Sequence, residues 1–349
     1  AATMRTESFV YAAATVGCCC VLLVVSKRVR RAVTTGALTV AGFAVPWLAN
    51  MALEAWVSGN ERSARVSGTV SSGLDQWGDR GREALITMLA MRAGTLQEMV
   101  VVGLVAAGTI VGAAVMSRRG EHRVAAVLML LAGGMHLVAL SGGLAFVPGM
   151  LAAAPIILAL VAFPPERSGA RYACVSLLAA LPLVWAFQFL GGAAPQWAGR
   201  YTLPTCIGLV ALAVAGLGRA DISLRRGLVA LTVLVSMTGV LWLSERSHSF
   251  DQLFDVLVER PEDVVVARNG FLIREGGAAY TERRWLTAVT DEDLDEAVEV
   301  VRDADLTTLA VLDENPEPSE PLEGASLQST TTVSVVGIDL YLHSYEIAE

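Results

Sequence analysis

Eight apolar runs pass along the first two thirds of the chain, at about 8–25, 32–54, 98–116, 123–141, 144–163, 171–190, 201–217 and 226–243. Each approaches the roughly 20 residues with which an α-helix crosses a hydrocarbon core. The polar stretches between them alternate in kind. Lys27-Arg28-Val29-Arg30-Arg31, Arg118-Arg119 to Arg123, Glu166-Arg167 to Arg171 and Arg219 to Arg225-Arg226 are basic, whereas residues 55–97, Ser141-Gly142-Gly143 and 191–200 are not. Lysine and arginine collect in cytoplasmic loops, so the alternation predicts four of them. The first residues, 55–97, 191–200 and everything after Leu243 then fall on the outer face. The fourth and fifth runs are parted only by Ser141-Gly142-Gly143, which leaves a spanning hairpin and a re-entrant pair both open.

Past residue 244 the period changes. Phe250, Leu253, Phe254, Leu257 and Val258 recur at helical spacing as far as Pro261. Residues 263–267 and 285–290 read as short strands. Thr290 with Asp293 makes an N-cap pattern ahead of Leu294, Ala297, Val298 and Val301, for a helix ending near Asp303. Residues 306–313 form a buried-type strand, 315–328 a Pro/Glu/Ser loop, and Val333 to Leu342 one or two strands broken near Gly337. The expected fold is an α-helical polytopic membrane protein with about eight transmembrane helices and a small extracytoplasmic α/β domain. Residues 1–244 form the transmembrane domain and 245–349 the soluble acidic one.

Composition sharpens this division. A mean hydropathy of +0.54, with 54% hydrophobic and 17% charged residues, is more apolar than a globular core can hide. Before residue 245 there are 19 Lys+Arg against 10 Asp+Glu; from there on there are 7 against 24. The halves therefore carry +9 and −17, which make up the −8 of the whole chain. The basic excess belongs to the loops and requires no nucleic acid. The acidic half argues against a domain lying flat on an anionic bilayer. Cys18, Cys19, Cys20, Cys174 and Cys206 all stand in apolar runs, where they pack as small apolar residues. The apolar pattern begins almost at Ala1, in a chain that opens AATM, which predicts further sequence ahead of it.

Chemistry-bearing residues are few. Loop 55–97 opens Ser/Gly-rich; its second part sets Leu85, Met88, Leu89 and Met91 on one side of an expected amphipathic interfacial helix. Trp77, between Asp75 and Asp79, would anchor that helix at headgroup depth. His136 beside Gly133 and Gly134 suits helix packing or a proton relay. His248 and His343 are too isolated for a metal site. The densest polar island is Gly191–Pro204, GGAAPQWAGRYTLP, in which Gln196, Trp197, Arg200 and Tyr201 fall within six residues. Two uses fit it: an aromatic belt with Arg200 snorkelling to headgroups, or an anion site where Arg200 grips a phosphate through its forked guanidinium.

The order of parts resembles the C-terminal half of GT-C-type integral membrane glycosyltransferases, the polyprenyl- and dolichyl-phosphate-sugar-dependent group that includes protein mannosyltransferases. The residues that carry the likeness are Arg5-Thr6-Glu7, Lys27–Arg31, Pro46-Trp47 and Gln196–Pro204; in the last, Ala198-Gly199 stands where the family often has Gly-Pro. The resemblance implies transfer of a sugar from a polyprenyl-phosphate carrier to an extracytoplasmic acceptor. It assigns Arg200, Tyr201, Gln196, Trp197, Arg5 and Glu7 to the lipid phosphate, with Glu7 equally suited to pair with Arg5 or Arg200. The family's catalytic carboxylate, base or partner of a divalent metal, lies in an earlier outer loop with no counterpart here. No metal ligand set is evident, and membrane lipids and a lipid-linked sugar donor are the expected partners. The alternatives are a transporter or flippase, a polysaccharide polymerase and a membrane scaffold with an outer binding domain. The charge alternation is directly testable: a reporter fused after Glu349 should be active only when its active compartment is extracytoplasmic, and cytoplasmic activity refutes the predicted topology.

Overall fold

The computed structural model describes residues 6–57, 77–91, 96–187, 202–268, 272, 279–318, 322–335 and 338–348. The chain divides into two compact units, Ala1–Gly239 and Val240–Glu349. Among the described residues, four helices are long and apolar enough to cross a membrane: Val100–Arg118, His122–Leu140, Ser168–Ala186 and Ile222–Glu259. Their outer surfaces carry large apolar side chains such as Leu130, 76% exposed, and Val138, 74% exposed. Water does not solvate a continuous surface of this kind, and the four helices indicate an integral membrane protein.

The first unit begins with α1 (Thr6–Val25) and α2 (Val29–Val57), joined by a tight turn in which Lys27 takes φ 58°. Then come α3 (Trp77–Leu89), α4 (Leu96–Arg118) and α5 (His122–Leu140). Three basic loops meet at one end of this unit. Arg118 donates to the Ala162 carbonyl at 2.7 Å, Arg219 pairs with Glu166 at 2.8 Å, and His122 lies 3.8 Å from Asp221.

The fifth apolar run does not form the expected spanning α-helix. After a 3₁₀ turn at Gly143–Ala145 the chain runs extended, makes only four residues of α6 (Met150–Ala153), and continues as a 3₁₀ helix over Pro155–Val161. Pro155 explains the interruption, because it lacks an N–H and its ring clashes with the carbonyl four residues earlier. The run still passes from one end of the unit to the other. Gly149 N–H donates to the Ala90 carbonyl at 2.7 Å, and the Ala162 carbonyl accepts from Arg118 at the basic end. Phe146, Met150, Ile156, Ile157, Ala159, Ala162 and Phe163 are all buried, so this irregular backbone is sheathed by protein.

α7 (Ser168–Phe187) keeps Pro182 in its interior. α8 (Leu203–Gly216) is shorter, 14 residues or about 21 Å. It ends where a side chain on Gly216 would meet the Phe163 carbonyl at 2.5 Å. α9 (Ile222–Glu259) is one continuous helix of 38 residues. It thus merges the last apolar run with the amphipathic segment after Ser249, which the sequence suggested as separate helices.

In the second unit a five-stranded sheet is formed by the described residues, in the order β2-β1-β3-β5-β4. The strands are β1 (Val264–Ala267), β2 (Arg284–Thr287), β3 (Thr308–Asp313), β4 (Ala325–Val335) and β5 (Ile338–Ile347), with short α10 (Ala279–Glu282) and α11 (Asp291–Asp303) between the parallel ones. β1 pairs in parallel with β2 and β3, while β5 pairs antiparallel with β3 and β4. α11 opens on the anticipated capping box: Thr290 Oγ1 accepts from Asp293 N–H at 3.1 Å, and Asp293 returns the bond to Thr290 N–H at 2.8 Å. These bonds to the ionised form, led by those from Thr290, hold the Asp293 carboxyl below its ordinary range. β4 begins inside the stretch read as a loop, because its Ser and Thr residues on a sheet edge lack an apolar alternation. Gly337 lies outside the described residues.

Two glycines set the packing of α3. On Gly103 of α4 a Cβ would stand 1.6 Å from the Leu89 carbonyl oxygen, and on Gly149 one would stand 2.7 Å from that of Thr87. Gly108, on the same helix as Gly103, has nothing within 4 Å. Gly103→Ala should therefore cost about 3 kcal/mol, the upper part of the overpacking range, since the obstacle is backbone. Gly108→Ala should be neutral or slightly stabilising. Thermal unfolding of both variants in detergent checks this, and equal midpoints would contradict the close approach of α3 to α4.

Candidate functional site

The sequence places its densest polar motif between α7 and α8, so the site is built from what surrounds the ends of those helices. α3 forms because Asp79 sits in its first turn and its apolar residues fall on one side. It does not lie as an interfacial helix with that side in lipid. Arg80, Ile86, Thr87, Ala90 and Met91 are buried against the bundle, while Leu85 is half exposed. Near its start, Arg80 Nη1 donates to the Trp185 carbonyl at 3.2 Å, close to the end of α7. Toward its end, Met88 packs on the cluster of Met150, Leu181, Cys206 and Leu209, which includes the first turns of α8. α3 thus touches the helices on both sides of the 191–204 motif.

α1 reaches the same place. Thr205 Oγ1 lies 2.8 Å from the Tyr11 hydroxyl and 3.4 Å from the Leu177 carbonyl. Tyr172 donates to the Thr15 carbonyl, so α1 and α7 run antiparallel. Leu177 is ten residues short of Phe187, about 15 Å along the axis. The first turn of α8 therefore starts beside the middle of α7, with Thr202 and Thr205 fully buried. Its leading amides, which no preceding helical turn can satisfy, make this end partially positive.

Of the residues assigned to the lipid phosphate, Arg5, Gln196, Trp197, Arg200 and Tyr201 lie outside the described residues. Glu7 is in the first turn of α1, and its side chain is likewise outside the description. Among the described residues, Tyr11, one turn after Glu7 in α1, and Thr205, in the first turn of α8, share a hydrogen bond. Trp77 is the first residue of α3; its side chain, and Asp75, lie outside the described residues.

Three polar side chains with buried atoms were not singled out in the sequence. Arg80 is only 4% exposed, an unusual position for a guanidinium. Glu83 is one turn further along the same face of α3, and its Oε2 is buried with no hydrogen-bond partner. Burial pushes its carboxyl above the ordinary glutamate range, with Arg80 pulling the other way. Trp185 Nε1 is also buried and without a partner. The available signal was the Arg80-x-x-Glu83 spacing on an otherwise apolar helix side.

Elsewhere, His136 is 1% exposed and its Nδ1 lies 2.9 Å from the Ala132 carbonyl, which satisfies the helix-packing expectation for that nitrogen; Nε2 has no partner. In the second unit the ligand position of parallel sheets, beyond the carboxyl ends of β1 and β3, is occupied internally. Arg268 donates to the Thr290 carbonyl at 2.7 Å and pairs with Asp291 at 2.8 Å and Asp313 at 3.7 Å. His343 is buried between Thr330 and the Asn315 carbonyl, far in role from any metal ligand. Among the described residues no group of three His, Cys, Asp or Glu side chains is able to hold a metal ion. Comparison with protein-family models, curated proteins and solved structures finds no match.

The Tyr11–Thr205 bond is open to a double-mutant cycle. Tyr11→Phe and Thr205→Val should show a coupling of about 0.5–1.5 kcal/mol in thermal or denaturant stability, the net range for one neutral hydrogen bond. Strictly additive effects would mean that α1 and α8 do not meet at these residues.

Proposed function

We propose that this chain binds the lipid phosphate in a membrane glycosyltransferase that moves a sugar from a polyprenyl-phosphate carrier to an acceptor outside the cytoplasm. It crosses the membrane about eight times, the fifth crossing being the irregular run, and it carries its acidic second unit on the outer side. The observation that supports the proposal is the convergence of α1, α3 and α7 on the first turns of α8, the helix into which the Gln196–Pro204 motif runs in sequence.

Chemically, the arrangement suits the departing phosphate. Arg200 grips it with two parallel N–H donors, Gln196 adds a neutral donor, and the amides of α8 favour negative charge at that end. As the glycosidic bond breaks, charge grows on the phosphate oxygens, and donors fixed in a poorly solvated site stabilise it more than water can. Trp197 and Tyr201, the arginine's aromatic neighbours in sequence, supply apolar surface for the lipid's first carbons.

A second reading has one observation in its favour. A broken crossing next to an intramembrane histidine is a feature of transporters, and 146–163 with His136 fits it. A flippase would use the same phosphate contacts without cleaving the glycosidic bond.

Binding of a polyprenyl-phosphate analogue to purified full-length protein tests the shared core of both readings. Arg200→Lys should weaken binding by about 1.5–3 kcal/mol, because a point charge does not reproduce the fork, and Arg200→Ala should do at least as much. Equal affinities for all three proteins, at equal expression, would refute the phosphate site. Release of free polyprenyl phosphate from a glycosylated carrier distinguishes transfer from translocation.

A further inference from the structure

The four basic stretches of the first unit differ in what their cations do. Residues 118–123 include Glu121, and Arg118 is anchored on the Ala162 carbonyl at 2.7 Å. Residues 164–171 include Glu166, and Arg171 is anchored on the Pro165 carbonyl at 2.8 Å. Residues 219–226 include Asp221, and Arg219 pairs with Glu166 at 2.8 Å. The turn between α1 and α2 has neither feature. Lys27, Arg28, Arg30 and Arg31 are all exposed, and the chain has no acidic residue from Ser8 to Leu53. Among the described residues these four side chains form no ion pair or hydrogen bond.

The turn is nevertheless held in place. Lys27 takes φ 58°, Cys20 Sγ lies 3.4 Å from the Ala32 carbonyl, and a Cβ on Gly36 would stand 3.6 Å from that sulfur. α1 runs antiparallel to α7 through the Tyr172–Thr15 bond, which brings the turn to the end of the unit where the other basic loops meet. Arg28, Arg30 and Arg31 crowd the partially positive start of α2, where an anion is stabilising and a cation is not. Beside them the helix surfaces are apolar: Val21 and Val25 on α1, and Val29 and Val33 on α2, each pair one turn apart, are exposed.

Uncompensated positive charge next to exposed apolar surface fits a ligand that is both anionic and apolar. We propose that the α1–α2 turn binds an anionic glycerophospholipid of the surrounding leaflet, its phosphodiester on the four cations and an acyl chain along the valines. Clusters of basic residues next to a membrane helix attract anionic headgroups in this way. The site requires only that the first unit is in a membrane, and it does not depend on the transfer reaction proposed above.

The test titrates full-length protein in detergent with palmitoyl-oleoyl phosphatidylglycerol or with the matching phosphatidylcholine, read by native mass spectrometry. At low ionic strength the wild type should bind phosphatidylglycerol at least about tenfold more tightly, the effect of two of the four cations at the strength usual near an anionic surface. High salt should shrink that preference. Arg28→Gln, Arg30→Gln and Arg31→Gln together should remove most of it. Arg167→Gln, Arg225→Gln and Arg226→Gln together change the net charge equally at the same end and should leave it largely intact. Unchanged binding of phosphatidylcholine separates a lost site from a lost fold, and Arg30→Gln with Arg31→Gln, expected to lose about threefold, serves where the triple variant does not fold. A wild type that binds both lipids equally, or a preference lost to the same degree in the two triple variants, overturns the site. Displacement of phosphatidylglycerol by millimolar inorganic phosphate overturns the lipid as its occupant.

Discussion

A backbone inside hydrocarbon has no water to satisfy its N–H and C=O groups, and the irregular crossing at 146–163 makes that constraint govern the first unit. A regular helix would meet the demand within itself. Here the chain runs extended ahead of Met150 and turns to a 3₁₀ helix at Pro155, so the groups must be covered or paired by neighbours. The Gly149 N–H is paired by Ala90 at the end of α3, and the Ala162 carbonyl by Arg118 at the end of α4. Coverage in turn requires close approach, which is why Gly103, Gly149 and Gly216 each stand where a Cβ would run into backbone. Ala152, Ala153, Ala154, Ala159 and Ala162 are buried along the same path. α3 is drawn into the bundle to seal one end of the run rather than resting in the interface.

Sealing the crossing brings a charged helix into a dry place. Arg80 sits on the side of α3 that faces protein, and Glu83 stands one turn further on with one carboxylate oxygen buried. A guanidinium taken out of water keeps its place only where its donors find acceptors, as here at the Trp185 carbonyl. The second unit has a more fully occupied arginine. Arg283 is half-buried and donates to the Leu257 carbonyl at 3.0 Å and the Glu262 carbonyl at 3.2 Å, and also bonds those of Val258 and Arg260. It caps the end of α9, supplying donors for carbonyls that no further helical turn can satisfy. An arginine so occupied is structural.

How much of this was legible in the sequence depended on whether local chemistry or tertiary contact decided the outcome. Thr290 and Asp293 announce the start of α11 because a capping box is satisfied by residues three apart. The strands at 264–267 and 308–313 follow from unbroken buried runs. The extent of α9 was not legible, since a polar stretch after Leu243 ends an apolar run without ending a helix. The fifth run misled for a different reason: Ala, Ile, Leu and Val suit a spanning helix and a buried coil alike, and only Pro148-Gly149 and Pro155 distinguish them. Of the candidate site, the motif at 196–204 stood out by its polar density in an apolar context. Arg80, Glu83 and Trp185 did not, because their meaning comes from the contact between α3 and α7, which are 105 residues apart at the bond itself.

The position of α8 connects these points to the chemistry proposed. An arginine at the bilayer surface would pair with any lipid headgroup and so discriminate little. The first turn of α8 instead opens beside the middle of α7, with Thr202 and Thr205 buried. A phosphate attracted to that end must leave water, and it does so only where fixed donors replace its hydration. A polyprenyl carrier is suited to this, because its long apolar tail remains in lipid while its phosphate is drawn inward between helices.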